Sequence, residues 1–301
     1  MIKRARYKAF SFLEISVVIM IIGLLISAIL TGSEVTASAK LVHARSLTQN
    51  SPVLSISGLA LWLDTTSEKS FSKLETKEGA AISRWSDINS EASVSNYLSN
   101  SSGTLADHPT YKETCINGLP CLYFNGTTNN KITSPKQMGI RTKYISMFLV
   151  FTGSESATSS YASNVFNSNF GSAWDNNSGV FLLTTAVNST KYFFYNMPSN
   201  YGIQYTSCTS IASMNPKQGY IYSVVDDNSS SIFHYINGAV ANNAGTNSGI
   251  LTKTLGIVSI GNGSYQGNIG EVIIFTKALT TTERKSVEQY LGKKWGIAIN
   301  S

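Results

Sequence analysis

The first thirty residues constrain this chain more than any other stretch. MIKRARYKAF carries four positive charges, on Lys3, Arg4, Arg6 and Lys8. It runs into SFLEISVVIMIIGLLISAIL, whose single charge is Glu14. From Ile15 to Ser33 there are 19 uncharged residues, about 29 Å of helix at roughly 1.5 Å per residue, the length that crosses a hydrocarbon core. Eleven of them are Ile, Leu or Val. Each favours insertion by about 0.3–0.6 kcal/mol, whereas a central acid costs only about 3 kcal/mol, and Glu14 sits near the end. These residues predict a membrane-spanning helix over residues 10–33.

A secretory signal would need a small-residue cleavage site, to be sought near Ala37 and Ala39. A plain signal anchor would only leave its basic residues on the cytoplasmic side. Neither explains an acid between the basic cluster and the apolar run. A basic leader, a small residue, then Phe, then Glu five residues into the new chain resembles the prepilin leader of type IV pilins and type II secretion pseudopilins. The resemblance implies cleavage between Ala9 and Phe10 by a prepilin peptidase, with methylation of the new amino group on Phe10. It makes Glu14 the assembly residue, facing the N-terminal ammonium of a neighbouring subunit, since a buried carboxylate is costly without such a partner. Gly23 falls where pilins commonly have Gly. Two departures are visible: Ala9 replaces the usual Gly, and Thr31 stands where many pilins have Pro. The implied partners are the peptidase and other pilin or pseudopilin subunits. The implied location is the inner membrane, crossed once, with a periplasmic or extracellular head.

Beyond Leu30 no Pro occurs before Pro52, so the helix is expected to run on to about residue 50. Val35, Ala39, Val42 and Leu47 form a loose apolar stripe for packing on a head. His43 has no acid, Cys or second His beside it and reads as a solvated or packed residue. Residues 1–9 are thus read as leader, 10–50 as stem and 51–57 as linker.

After about Gln49 the chain turns rich in Ser, Asn, Thr, Gly and Tyr. Short β-prone runs such as LALWL, CLYF, YISMFLVF, YIYSVV and EVIIF alternate with turn signals, the pattern of an antiparallel sandwich. Asn237-Gly238 between two such runs predicts a tight hairpin. Near the end Thr280 and Glu283 have capping-box spacing, and Val287, Tyr290, Leu291 and Trp295 share one helical face. Together GLALWLD (Gly58–Asp64), SRWSD (Ser83–Asp87), HPTY (His108–Tyr111), NGLPCLYFNG (Asn117–Gly126), FLVF (Phe148–Phe151), HYINGAV (His234–Val240) and the closing Gly267–Ile297 segment resemble LamG-like, concanavalin A-like jelly-roll domains. The expected fold is therefore mainly β: a jelly roll over residues 58–301, one long N-terminal transmembrane helix before it and a short helix at its end. Asn125 departs from that resemblance, which usually has Asp before the Gly.

Catalysis finds no support in the residues. Glycosidases of this fold place paired carboxylates on one strand, but Glu271 stands alone on EVIIF, and Asp226-Asp227 point to opposite faces. The three Cys are not arranged as zinc ligands. No enzyme activity and no cofactor are expected. Calcium needs six to eight oxygens; Asp64 and Asp87, each two residues after a Trp, are weak candidates, and the Asp175-Asn176-Asn177 loop supplies further oxygens. Buried Trp with Asp caps is the simpler reading of Trp62, Trp85 and those acids. Cys115 and Cys121 flank a hairpin tip and are expected to form a disulfide in an exported chain, leaving Cys208 as a buried thiol. Of the formal net charge of +6, the leader carries four, leaving +2, and no basic, aromatic-laced patch points to nucleic acid. The reading is a minor pilin or pseudopilin displaying a lectin-like head, adhesive or carbohydrate-binding, with a glycan or another surface ligand as its partner. The alternative is a membrane-tethered carbohydrate-binding protein that never polymerises.

Overall fold

The computed structural model describes residues 12–90, 96–153, 163–169, 181–186, 189–196, 204–208, 215, 217–227, 232–241, 243–244, 253–263 and 265–300. Helix α1 (Phe12–Gln49) comes first, followed by a turn of 3-10 helix at Pro52–Ser55. The strands begin with β1 (Leu59–Asp64), β2 (Arg84–Ser86), β3 (Tyr97–Ser99), β4 (Thr110–Ile116), β5 (Leu119–Asn125) and β6 (Ile132–Thr133). They continue with β7 (Ile140–Thr142), β8 (Ile145–Thr152), β9 (Ser163–Asn169), β10 (Phe181–Ala186), β11 (Ser189–Asn196) and β12 (Gln204–Cys208). The last are β13 (Gly219–Asp226), β14 (Ile232–Ile236), β15 (Ala239–Ala241), β16 (Asn243–Ala244), β17 (Lys253–Leu255), β18 (Ile257–Gly263) and β19 (Gln266–Phe275). Helix α2 (Thr281–Trp295) closes the chain.

Among the described residues the strands form two large antiparallel sheets packed face to face. One has the order β15-β14-β13-β8-β19-β5-β4, with β1 also paired to β19; the other has the order β16-β12-β11-β10-β9-β18-β6-β3-β2. The core between them holds Leu61, Leu122, Phe124, Leu149, Phe151 and Val272 from the first sheet, and Trp85, Leu98, Val165, Phe166 and Ile260 from the second. A second core lies on the outer face of the first sheet, where Trp62, Phe148, Val150, Ile273 and Phe275 meet Val287, Leu291 and Trp295 of α2 and Ala44 of α1. The fold is a mainly β sandwich with a helical layer on one face.

That third layer explains the strand sequences. β8 and β13 are buried at every position, because both faces of their sheet are covered, so they read as continuous apolar runs rather than alternating ones. Each fully buried Phe, Ile or Leu contributes about 1.5–3 kcal/mol. The turn at Asn237-Gly238 has φ of 48° and 81°, the left-handed pair that a two-residue hairpin requires. Thr280 caps α2 by accepting from the Glu283 N–H, and the Glu283 carboxylate accepts from the Thr280 N–H in return. The disulfide Cys115–Cys121 spans the β4–β5 hairpin with a Cα–Cα distance of 5.8 Å.

The N-terminal region corrects the sequence reading. Helix α1 forms, but no helix among the described residues is long and apolar enough to cross a membrane. The expected transmembrane segment over residues 10–33, and the single-pass inner-membrane location built on it, are overturned on this point. The packing stripe is also rotated. Val35 and Val42 are exposed, and α1 meets the head through Ala44 and Thr48, with Leu41 and Leu47 half-buried beside them. Positions 41, 44, 47/48 follow the i, i+3, i+7 face, and His43 is exposed. The cleavage positions Ala9 and Phe10, and the Asp175-Asn176-Asn177 loop, lie outside the described residues.

Candidate functional site

Where α1 reaches the sandwich, four elements converge on a sealed polar cluster. β1 and β19 pair in a register that sets Asp64 opposite Glu271. Like charges directly opposite one another repel, and both side chains are fully buried. Helix α2 resolves the conflict. Its Lys294 Nζ lies 2.7 Å from Asp64 Oδ2 and 2.8 Å from Glu271 Oε2, with no exposed surface on any of the three side chains. Tyr290 and Lys294 are four residues apart, and so are Leu291 and Trp295, so one helical face delivers both polar and apolar partners.

Glu271 accepts four hydrogen bonds. The Trp62 indole N–H (2.8 Å) and the Tyr290 hydroxyl (2.9 Å) donate to Oε1; the Lys294 ammonium and the Trp295 indole N–H (2.8 Å) donate to Oε2. Asp64 accepts from Thr48 Oγ1 of α1 at 3.0 Å, and from the Thr66 backbone N–H and hydroxyl at 2.9 and 2.8 Å. With nearly every lone pair engaged, the cluster meets the condition under which buried charge is tolerated. Burial pushes the Glu271 carboxyl upward, against the pull of the Lys294 ammonium. It also holds the Tyr290 hydroxyl well above the ordinary phenol range, with Glu271 adding to the effect. Gly270 makes the geometry possible: a Cβ there would lie 2.4 Å from the Trp295 ring.

Thr48 carries the cluster into α1, so the helix is joined to the sandwich by buried polar bonds as well as by Ala44. At the rim, Arg45 of α1 donates to the Thr66 carbonyl at 2.9 Å and pairs with Glu68 at 2.6 Å. A second buried pair holds α2 from the other side: Arg284 bonds Glu288, Ser223 of β13 donates to the same Glu288, and the Arg284 guanidinium lies 3.6 Å over the Tyr235 ring. The arrangement is a buried polar joint that ties α1 and α2 to β1 and β19.

The candidate calcium residues fall into this frame. Asp64 is engaged by Lys294, Thr48 and Thr66. Asp87 accepts from the Trp62 and Asn89 backbone N–H groups, both at 2.9 Å, and burial pushes its carboxyl up to about 6. Among the described residues no group of three His, Cys, Asp or Glu is placed to hold a metal ion. Asn125 closes a turn by accepting from Thr127. Cys208 lies on β12, and its thiol is outside the described side chains. Trp62, Trp85 and Trp295 are all fully buried. Sequence reasoning missed Lys294 and the Asp64–Glu271 pairing. The available signals were an isolated acid in the apolar EVIIF run and a Lys directly before a core Trp.

No family model matches the chain, and no curated protein matches it. Solved structures do match. The binding domain of botulinum neurotoxin serotype G is 12% identical with a TM-score of 0.52, the alignment covering 78% of this chain and 51% of that one. The receptor binding domain of botulinum neurotoxin D is 13% identical with a TM-score of 0.53, covering 78% and 53%. A heptameric SAP-like pentraxin from Limulus polyphemus is 13% identical with a TM-score of 0.41, covering 55% and 78%. The chain spans about half the length of the neurotoxin domains it matches. At these identities the likeness concerns the fold.

Proposed function

We propose that this protein is a minor subunit of the type IV pilin or pseudopilin class, built into a filament through α1 and displaying a lectin-like, saccharide-binding head. The carrying observation is the contrast between the two halves of α1. Its C-terminal end is locked onto the sandwich, while the large apolar side chains from Phe12 to Ile26 stand exposed, from 89% at Phe12 to 46% at Val17. A helix that is apolar all round is normally buried, and packing against the same helix of neighbouring copies would bury this one. Glu14 lies in its first turn, where an acid would meet the ammonium of a neighbour's Phe10 after removal of residues 1–9 by a prepilin peptidase. The buried joint suits this role, since its bonds from Thr48 and Arg45 tie the helix to the head that each copy would present.

Mass spectrometry of the protein from its native host tests the reading. A mature chain that begins at an N-methylated Phe10, is recovered in sheared surface filaments and incorporates less well as Glu14→Ala is the expected result. An intact Met1, or normal incorporation of Glu14→Ala, would remove the pilin assignment. The lectin-like fold taken alone supports a second reading, a carbohydrate-binding protein that does not polymerise. Absence from sheared filaments together with retained saccharide binding favours that one.

A further inference from the structure

The outer face of the first sheet changes character where the helices end. Cys121, Phe148 and Val150 lie under the helical layer. The same face then continues into Lys112 and Thr114 of β4, Tyr123 of β5, Asn268 of β19 and Thr152 of β8. Register places them together: Lys112 is opposite Cys121, and Tyr123 is opposite Asn268. With Lys217 at the foot of β13 they line an open hollow of about 480 Å³, floored in part by the Cys115 half of the disulfide. This is the size of a small-ligand site, and its lining combines two ammonium groups, one aromatic ring, an amide and two hydroxyls.

We propose that this hollow binds an acidic saccharide, a sugar unit bearing a carboxylate, and the proposal rests on the lectin-like reading of the head. Lys112 and Lys217 supply the cationic donors. Lys112 already lies 3.2 Å from Glu78, but both side chains are substantially exposed, and such a pair is worth little, so a ligand carboxylate can share the ammonium. Lys217 is held at the rim by a turn in which its N–H donates to Asn215 Oδ1 at 2.9 Å. Tyr123 is half-buried, its hydroxyl accepting from Gln266 at 3.0 Å, which fixes the ring as a platform for the apolar face of a pyranose. The Asn268 backbone N–H donates to Thr152 Oγ1 at 3.0 Å, and its Oδ1 lies 3.4 Å from Cys121 Sγ. A disulfide sulfur has no hydrogen to donate, so that oxygen keeps its lone pairs for a sugar hydroxyl.

The test is binding of the full chain to uronic- and sialic-acid oligosaccharides, to their methyl esters and to neutral oligosaccharides of the same length. Acids are expected to bind about tenfold more tightly than their esters, the worth of a charge-assisted hydrogen bond. The double variant Lys112→Met, Lys217→Met should erase that preference with its melting temperature unchanged, and Tyr123→Ala should weaken acids and esters alike. Equal binding of acids and esters, or an acid preference that survives the double Lys variant, overturns this site while leaving a saccharide-binding head intact. Binding of neutral sugars alone does the same. Failure of every saccharide overturns both this site and the lectin-like reading beneath it.

Discussion

Replacing Lys294 with Met tests the joint most directly. Met keeps most of the side-chain volume but removes the cation between Asp64 and Glu271. At 2.7 and 2.8 Å each pair is worth about 6 kcal/mol of Coulomb attraction at an effective dielectric near 20. Several kcal/mol of that offset the desolvation of each ion. What remains after removal is two facing carboxylates with no counter-charge and no access to water. Breaking a buried pair from one side costs about 3–5 kcal/mol, at least a fifth of a typical stability of about 5–15 kcal/mol. Urea unfolding of the full chain, followed by tryptophan fluorescence, reads this well because two indoles donate to Glu271. Neutralising the whole cluster as Asp64→Asn, Glu271→Gln, Lys294→Met should recover most of the loss, since no unpaired charge is then buried. A loss below about 1 kcal/mol for Lys294→Met, or a triple variant no more stable than the single one, would refute the account of the joint.

Two buried titrating groups should oppose one another in acid. Asp87 is raised to about 6, so its contribution to stability is full below about pH 4 and is lost as pH rises through 6. His234, whose Nδ1 lies 2.6 Å from the Tyr222 hydroxyl, is pushed down to about 4 by burial. Its contribution is full above about pH 6.5 and is lost as pH falls through 4. Each is worth about 3 kcal/mol across that window. Asp87→Asn should therefore make urea midpoints fall toward pH 4, and His234→Gln should make them rise; variant profiles parallel to the wild type would contradict both assignments. Gly270→Ala should drive its new methyl into the Trp295 ring, separate that indole from Glu271 and lower the melting temperature by several degrees. An unshifted melting curve would mean that the close approach is not required.

Some of this was legible in the sequence because its physics is local. The Thr280–Glu283 cap, the α2 face of Val287, Tyr290, Leu291 and Trp295, and the Asn237-Gly238 hairpin depend on neighbours a few residues away. So does the short separation of Cys115 and Cys121. The alternation of strands and turns after residue 57 likewise determined a mainly β sandwich. Other features were decided only by tertiary structure. Asp64 and Glu271 become neighbours because β1 pairs with the last strand, a register set by which faces can be buried and not by either segment alone. Lys294 then belongs to acids 230 and 23 residues away, with no local pattern to announce it. The face that α1 turns to the head was misread for the same reason. Val35 and Val42 are the more apolar choice, but contact with the sandwich starts only near Leu41, and there Ala44 and Thr48 fit because one is small and the other can bond to Asp64. Apolar composition could propose what the first thirty residues do; only the folded chain shows where the helix is held and where it is left bare.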